Sequence, residues 1–449
     1  MGTACEDVPL KPTIQDLKVK LHHSTLLFPT QKTQKKCCFL SNVDQNFNFY
    51  VATLHFFSAN PNFPPETVAK RLKTAVEKVL VPYDFAAGTV QRNHQSGCLE
   101  IDCDAAGAGF VVASSEVSLD EIGDLVYPHQ GYNQLAIQNL DNWEPNNDRQ
   151  PLCIFQVTSF KCGGFSLSLS TNHLLFDGMG ARTFLENVAS QAFENKPLAI
   201  IPCNDRHLLT ARSPPHVAFP HPELLPAKNI QALNCVKEEL ESKIFKLTSN
   251  QINYLKDKAK SNDGKKAAMT TTKITSFNAV AALIWRCKAL SVDTEKDRIS
   301  TLLCAVDIRS RLNPPLPPSY CGNAVLNAYA SSKCLELEVA PFSELVGMVS
   351  NGTERVTDEY IRSTLDWIEI NKGVPNGEYF ISSWWRLGFE EVVYPWGKPI
   401  YSFPLMNQNK YICFLLPPDA DDVIVNVLVT LPAKEMERFQ SLFRGFFQY

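Results

Sequence analysis

The chain has 449 residues, 45% hydrophobic and 20% charged, enough to bury a large core and to divide into two or three domains of roughly 150 residues each. Forty-three Lys and Arg against 47 Asp and Glu leave a net charge of −4. No dense basic block stands out, so nucleic acid is excluded as an expected partner, and the composition excludes a disordered or fibrous chain.

Met1 to Pro12 lacks the basic-then-apolar pattern of a signal peptide. Glu6 stands where myristoylation wants Ser or Thr. The most apolar later run, Val423 to Leu431, is broken by Asn426 and is too short to span a bilayer. These features predict a soluble, cytoplasmic protein with no membrane partner. Fourteen Cys are dispersed, with none at C-x-x-C spacing and Cys37-Cys38 adjacent, so a reducing compartment, core thiols and no metal site are expected. The sequon at Asn351-Gly352-Thr353 would stay unmodified there.

In chain order, Phe49 to Phe57 has strand propensity, and Pro65 to Val81 spaces Val68, Leu72, Val76 and Leu80 on one helical face. Leu152 to Phe160 and Gly164 to Thr171 read as paired strands, followed by a helix from Gly178 to Asn195. A proline-rich stretch from Ile200 to Lys228 reads as a crossover linker. Beyond it, Phe277 to Leu290 is helical and Ser300 to Val306 a strand, and Ile412 to Leu416 with Val423 to Leu431 forms a hairpin. The fold class is mixed α/β. The expected division is 1–197, a linker at 198–228, and 229–449.

Among nine His, His173 stands at the end of the strand-like FSLSLSTN and just before Leu174-Leu175-Phe176-Asp177-Gly178. Strand ends commonly display reactive groups. An imidazole there can take a proton from an alcohol or amine, because its ordinary pKa lies near operating pH. Asp177 could orient the turn through backbone or Arg contacts, or orient the imidazole. H-x-x-x-D is a weak signal by itself, and a structural His beside a turn Asp remains open. No G-x-S-x-G, Walker A, H-E-x-x-H or G-x-G-x-x-G accompanies it.

Several separated segments resemble the plant BAHD acyltransferases. His173 to Gly178 is similar to H-x-x-x-D-G, and Val306-Asp307-Ile308-Arg309-Ser310-Arg311 with Pro314-Pro315-Leu316-Pro317 to V-D-x-R-x-R-x-x-P-P-L-P. Tyr320-Cys321-Gly322-Asn323 is similar to Y-F-G-N, and Trp396-Gly397-Lys398-Pro399 matches near the C-terminus. Leu40 to Gln45, Leu80 to Tyr83 and Asp205 to Arg212 are similar to the branch that uses hydroxycinnamoyl-CoA donors.

The resemblance implies two chloramphenicol-acetyltransferase-like α/β domains with a central solvent channel at their interface. It implies direct transfer: His173 deprotonates the acceptor, which attacks the thioester of an acyl-CoA, the co-substrate, with no bound cofactor. Trp384, in Ser383-Trp384, is the candidate oxyanion donor. Lys256, Ser276 and Lys273 are candidate CoA contacts, and His55, Ser383 and Arg386 candidate pocket residues. The partners implied are small molecules, and the state a monomer.

Where the family usually carries D-F-G-W-G, this chain has Val393-Tyr394-Pro395-Trp396-Gly397. The family Asp normally pairs with an Arg of V-D-x-R-x-R, here Arg309 or Arg311, so Val393 predicts a stranded arginine unless Glu390 or Glu391 substitutes. Three readings stay open: intermolecular hydroxycinnamoyl transfer to a hydroxyl or amine, intramolecular lactonisation as in coumarin synthase, and a non-catalytic partner protein.

Overall fold

The computed structural model describes residues 16–138, 150–229, 238–260, 274–292, 297–405 and 408–448. Alternation in FSLSLSTN produces the strand Phe165–Asn172, which sits inside a six-stranded sheet. The sheet order is Val19–Leu27, Ala108–Ser115, Cys153–Ser159, Phe165–Asn172, Tyr50–Phe57 and Tyr401–Leu405. Only the second and third of these run parallel. Leu167 and Leu169 point to one face, where helices Pro65–Val79 and Gly178–Ala192 bury Val68, Leu72, Val76, Phe184 and Val188 against them. Each such aliphatic side chain contributes about 1.5–3 kcal/mol when fully buried.

The second six-stranded sheet runs Leu240–Thr248, Val423–Pro432, Ile412–Leu416, Tyr379–Ser383, Ile299–Asp307 and Val325–Lys333. Its core holds Leu302, Ile381, Leu415 and Val427, packed by helices Ser249–Lys260, Ser276–Ser291, Phe342–Glu354 and Ala433–Gly445. The opposite face of the first sheet, with Ala52, Leu54, Phe56 and Phe403, meets Leu416 and Leu428 of the second.

A boundary at 198–228 does not separate the two cores. Tyr401–Leu405 leaves the C-terminal half and pairs antiparallel with Tyr50–Phe57. Phe389, Val392, Tyr394 and Trp396, placed by sequence with the C-terminal domain, are buried in the N-terminal core. Burial of four large apolar residues on the first sheet is the physical reason for the crossing. The linker is itself pinned to helix Asp358–Asn371: Asp366 accepts from Arg212 Nε at 2.6 Å and from the His216 backbone at 2.8 Å.

Candidate active site

The register of two neighbouring strands positions the candidate base. Tyr50 pairs with Asn172, so residues just before Tyr50 lie beside those just after Asn172. The His173 backbone N–H donates to the Phe49 carbonyl at 2.8 Å. Phe47 stacks on the imidazole at 4.6 Å between centroids, and Phe49 tilts against it at 5.4 Å. The ring is half-buried, and Nδ1 is its buried nitrogen. Desolvation therefore holds the His173 pKa below its ordinary value, partly opposed by its own backbone, Asp177 and Asn323. A lowered pKa keeps the imidazole neutral, and hence basic, near pH 7.

Of the two roles open to Asp177, its contacts are those of the turn-orienting one, with backbone and Arg partners, and none is to the imidazole. It caps helix Gly178–Ala192 by accepting from the Gly180 N–H at 2.9 Å. Arg309 Nη2 donates to Oδ1 at 2.9 Å and Nη1 to Oδ2 at 2.8 Å, and the Ala324 N–H donates to Oδ2 at 3.0 Å. With both oxygens used, the carboxylate is structural: it ties the loop after His173 to the C-terminal half. Gly180 is required at this junction, since a Cβ there would stand 2.3 Å from the Cys321 carbonyl oxygen.

This pairing also overturns the expectation of a stranded arginine. Arg309 has Asp177 and Asp307. Arg311 donates to the carbonyls of Thr353 and Val356 at 2.6 and 3.1 Å. Glu391 pairs with Lys398 instead, and Glu390 serves neither arginine. Val393 is exposed, and neither Arg309 nor Arg311 waits for the missing Asp. Tyr394 and Gly397 close a tight turn by exchanging two hydrogen bonds of 3.0 Å, with Gly397 at φ +119°. Trp396 packs into the first core against Phe57, Phe63 and Phe165.

Ser383 ends strand Tyr379–Ser383, and its neighbour Trp384 is half-buried and stacked on Phe389 at 5.3 Å. The turn that follows lies on the helix start beyond His173: a Cβ on Gly178 would meet Leu387 Cδ1 at 2.7 Å. Trp384 is thus carried to the same end of the first sheet as the His173 loop. Its Nε1 donates to no described residue. Arg386 is exposed, with its guanidinium 4.8 Å over the Trp385 ring. His55 is fully buried, and its Nε2 and Nδ1 hydrogen-bond with Thr53 Oγ1 and Ser402 Oγ, each at 2.9 Å. Burial drives its pKa down to about 3. It forms a wall beneath Phe389, at 5.6 Å, and has no ring nitrogen left over for a ligand.

Lys256 is half-buried on helix Ser249–Lys260, and Ser276 opens helix Ser276–Ser291 behind the Thr275 cap. Lys273 lies outside the described residues. Among the described residues, no group of three or more His, Cys, Asp and Glu is placed to hold a metal ion. No helix among them is long and apolar enough to cross a membrane.

The residues that sequence reasoning left without a role are Asp44, Arg206 and Asn323. All three are buried around the His173 loop, and Arg206 Nη1 meets Asp44 Oδ1 at 2.7 Å. The only signal of them in the sequence was their place in segments shared with other proteins.

Two mixed six-stranded sheets packed by helices, with His173 at a strand end, define a protein of two-sheet α/β architecture. The model of the Transferase family matches residues 17–445. The chain belongs to that family, the BAHD acyltransferases, and is an acyltransferase. It is 50% identical to Acyltransferase GLAUCE of Arabidopsis thaliana, with 99% of each chain covered. It is 34% identical to an omega-hydroxypalmitate O-feruloyl transferase of the same plant, over 97% of this chain and 94% of that one. Vinorine synthase shares its fold with a TM-score of 0.74 at 21% identity, over 95% of this chain and 98% of that one. An F. sporotrichioides TRI101 structure, complexed with coenzyme A and T-2, aligns with a TM-score of 0.70 at 16% identity, covering 90% of this chain and 97% of that one.

Proposed function

We propose that this acyltransferase moves a hydroxycinnamoyl-type group from its CoA thioester to a hydroxyl of a small acceptor. The observation that carries the reading is His173, half-buried, with Nδ1 inside and two phenylalanine rings against its face. Its Nε2 takes the acceptor's proton as the oxygen bonds to the thioester carbonyl carbon. The Trp384 N–H holds the oxyanion of the tetrahedral intermediate. The C–S bond then breaks, and the thiolate recovers the proton from the imidazolium as free CoA. Phe47 and Phe49 offer stacking surface to a planar acyl chain, and the feruloyl relative supports an aromatic donor and an O-acceptor. The same reading makes the enzyme a cytoplasmic monomer with small-molecule partners.

The test is thiol release from a panel of acyl-CoAs, with and without pooled alcohols and amines, and with products identified by mass. Acceptor-dependent release with an aromatic donor is expected. A lactone formed without acceptor would replace this reading with an intramolecular one, and no release from any donor would sink both. His173→Ala should lose about a hundredfold or more of kcat, as removal of a general base does.

A further inference from the structure

The Tyr320-Cys321-Gly322-Asn323 motif ends on a residue with 0% exposure and an unusual set of contacts. Asn323 Nδ2 donates to the carbonyl of His173 at 2.9 Å and to Asp44 Oδ1 at 2.8 Å, and its backbone N–H donates to that same oxygen at 3.1 Å. Arg206, paired with Asp44, donates to the Leu174 and Leu175 carbonyls at 2.9 and 2.8 Å. Three successive carbonyls of the loop carrying the imidazole are therefore held by one buried polar cluster. The cluster draws Asp44 from before the first sheet's fifth strand, Arg206 from the linker and Asn323 from the C-terminal half.

Within it, two atoms are buried with no partner: Oδ1 of Asn323 and Nδ1 of His173. They belong to residues already joined by the Nδ2 contact, and they are complementary, one an acceptor only and the other able to donate. A buried orphan of either kind costs about 1–3 kcal/mol, so a bond between the two is favoured. The ring's own backbone and Asp177 raise its basicity, and Asn323 adds to them in the sense expected of an accepting amide oxygen.

We propose that Asn323 is a positioning residue for His173: its amide oxygen accepts the Nδ1 proton and so leaves the Nε2 lone pair free to receive the acceptor's proton. A neutral imidazole has one donor and one acceptor nitrogen, and the bond made at one sets the role of the other. In the opposite tautomer Nε2 carries a hydrogen and cannot act as the base. The inference rests on His173 being that base.

The test combines pH profiles of kcat/KM with direct observation of the ring. The charged groups acting on the imidazole are Asp177 and Asp44, both raising its basicity, paired with Arg309 and Arg206, and none is altered. Asn323→Ala removes an acceptor that favours the protonated ring, so the acidic limb should move to lower pH. Its kcat should fall about tenfold or more while KM for the acyl-CoA stays within about twofold. Asn323→Asp places a carboxylate at the same site and should move the limb to higher pH. A limb that stays put in both folded variants overturns the proposal.

Should the variants not fold, nitrogen NMR of the histidine-labelled wild-type protein, assigned through His173→Gln, decides alone: Nδ1–H is expected, and Nε2–H overturns the proposal. His173→Ala keeps the two ideas apart. If it stays active, the base assignment has failed; if it is inactive while the Asn323 variants show no shift, only the positioning role has.

Discussion

At the scale of single residues, the site divides into groups that react and groups that hold. His173 was legible because a strand-like alternation ended on it, and the antiparallel register then places Phe47 and Phe49 against its ring. Asn323 was not legible as a partner, because its contact with His173 spans 150 residues and nothing local marks it. Trp384 is the other residue with a chemical assignment, and its substitution separates packing from hydrogen bonding. Trp384→Phe keeps an aromatic ring on Phe389 and deletes the N–H. If the indole binds the oxyanion, kcat should fall about a hundredfold with KM for the acyl-CoA nearly unchanged. An unchanged kcat in steady-state assays would return Trp384 to a packing role.

At the scale of elements, the strong periodicities survive into the structure. Pro65 to Val81 predicts a helix and Pro65–Val79 forms one, Leu80 serving as its C-cap. The Ile412–Leu416 and Val423–Pro432 hairpin is antiparallel, as the sequence suggests. Tyr401–Leu405 could not be read, because Pro404 argues against a strand; as an edge strand it tolerates a residue without an N–H.

The H-x-x-x-D helix shows the same limit in its chemistry. Spacing alone left Asp177 free to orient either the turn or the imidazole, and capping and the Arg309 pair consume both its oxygens. Asp177 has a 3% and Arg309 a 10% exposed side chain, so removing one partner leaves an almost buried charge. Asp177→Ala should therefore cost about 3–5 kcal/mol of stability, read from urea unfolding. Its kcat per folded molecule should suffer less than that of His173→Ala. A variant with an unshifted urea midpoint would show that the pair is not holding the helix start.

At the scale of the whole molecule, the linear order of the chain conceals how its halves depend on each other. The C-terminal half returns Phe389, Tyr394 and Trp396 to the N-terminal core and adds Tyr401–Leu405 to its sheet. It also supplies Arg309 and Asn323 to carboxylates of the N-terminal half, Asp177 and Asp44. A fragment ending at residue 228 would thus expose the backbone edge of Tyr50–Phe57, uncover apolar surface and strand Asp177 without its arginine. Open, apolar strand edges pair with other chains, and an unpaired buried carboxylate opposes the native loop. Residues 1–228 expressed alone should therefore aggregate or lack near-ultraviolet circular dichroism. Co-expression with 229–449 should restore a soluble complex carrying thiol-releasing activity. Independent folding of 1–228, with a cooperative urea transition and native near-ultraviolet bands, would mean that the crossing strand, the Asp177–Arg309 ion pair and the Asp44–Asn323 hydrogen bond are dispensable to the first core.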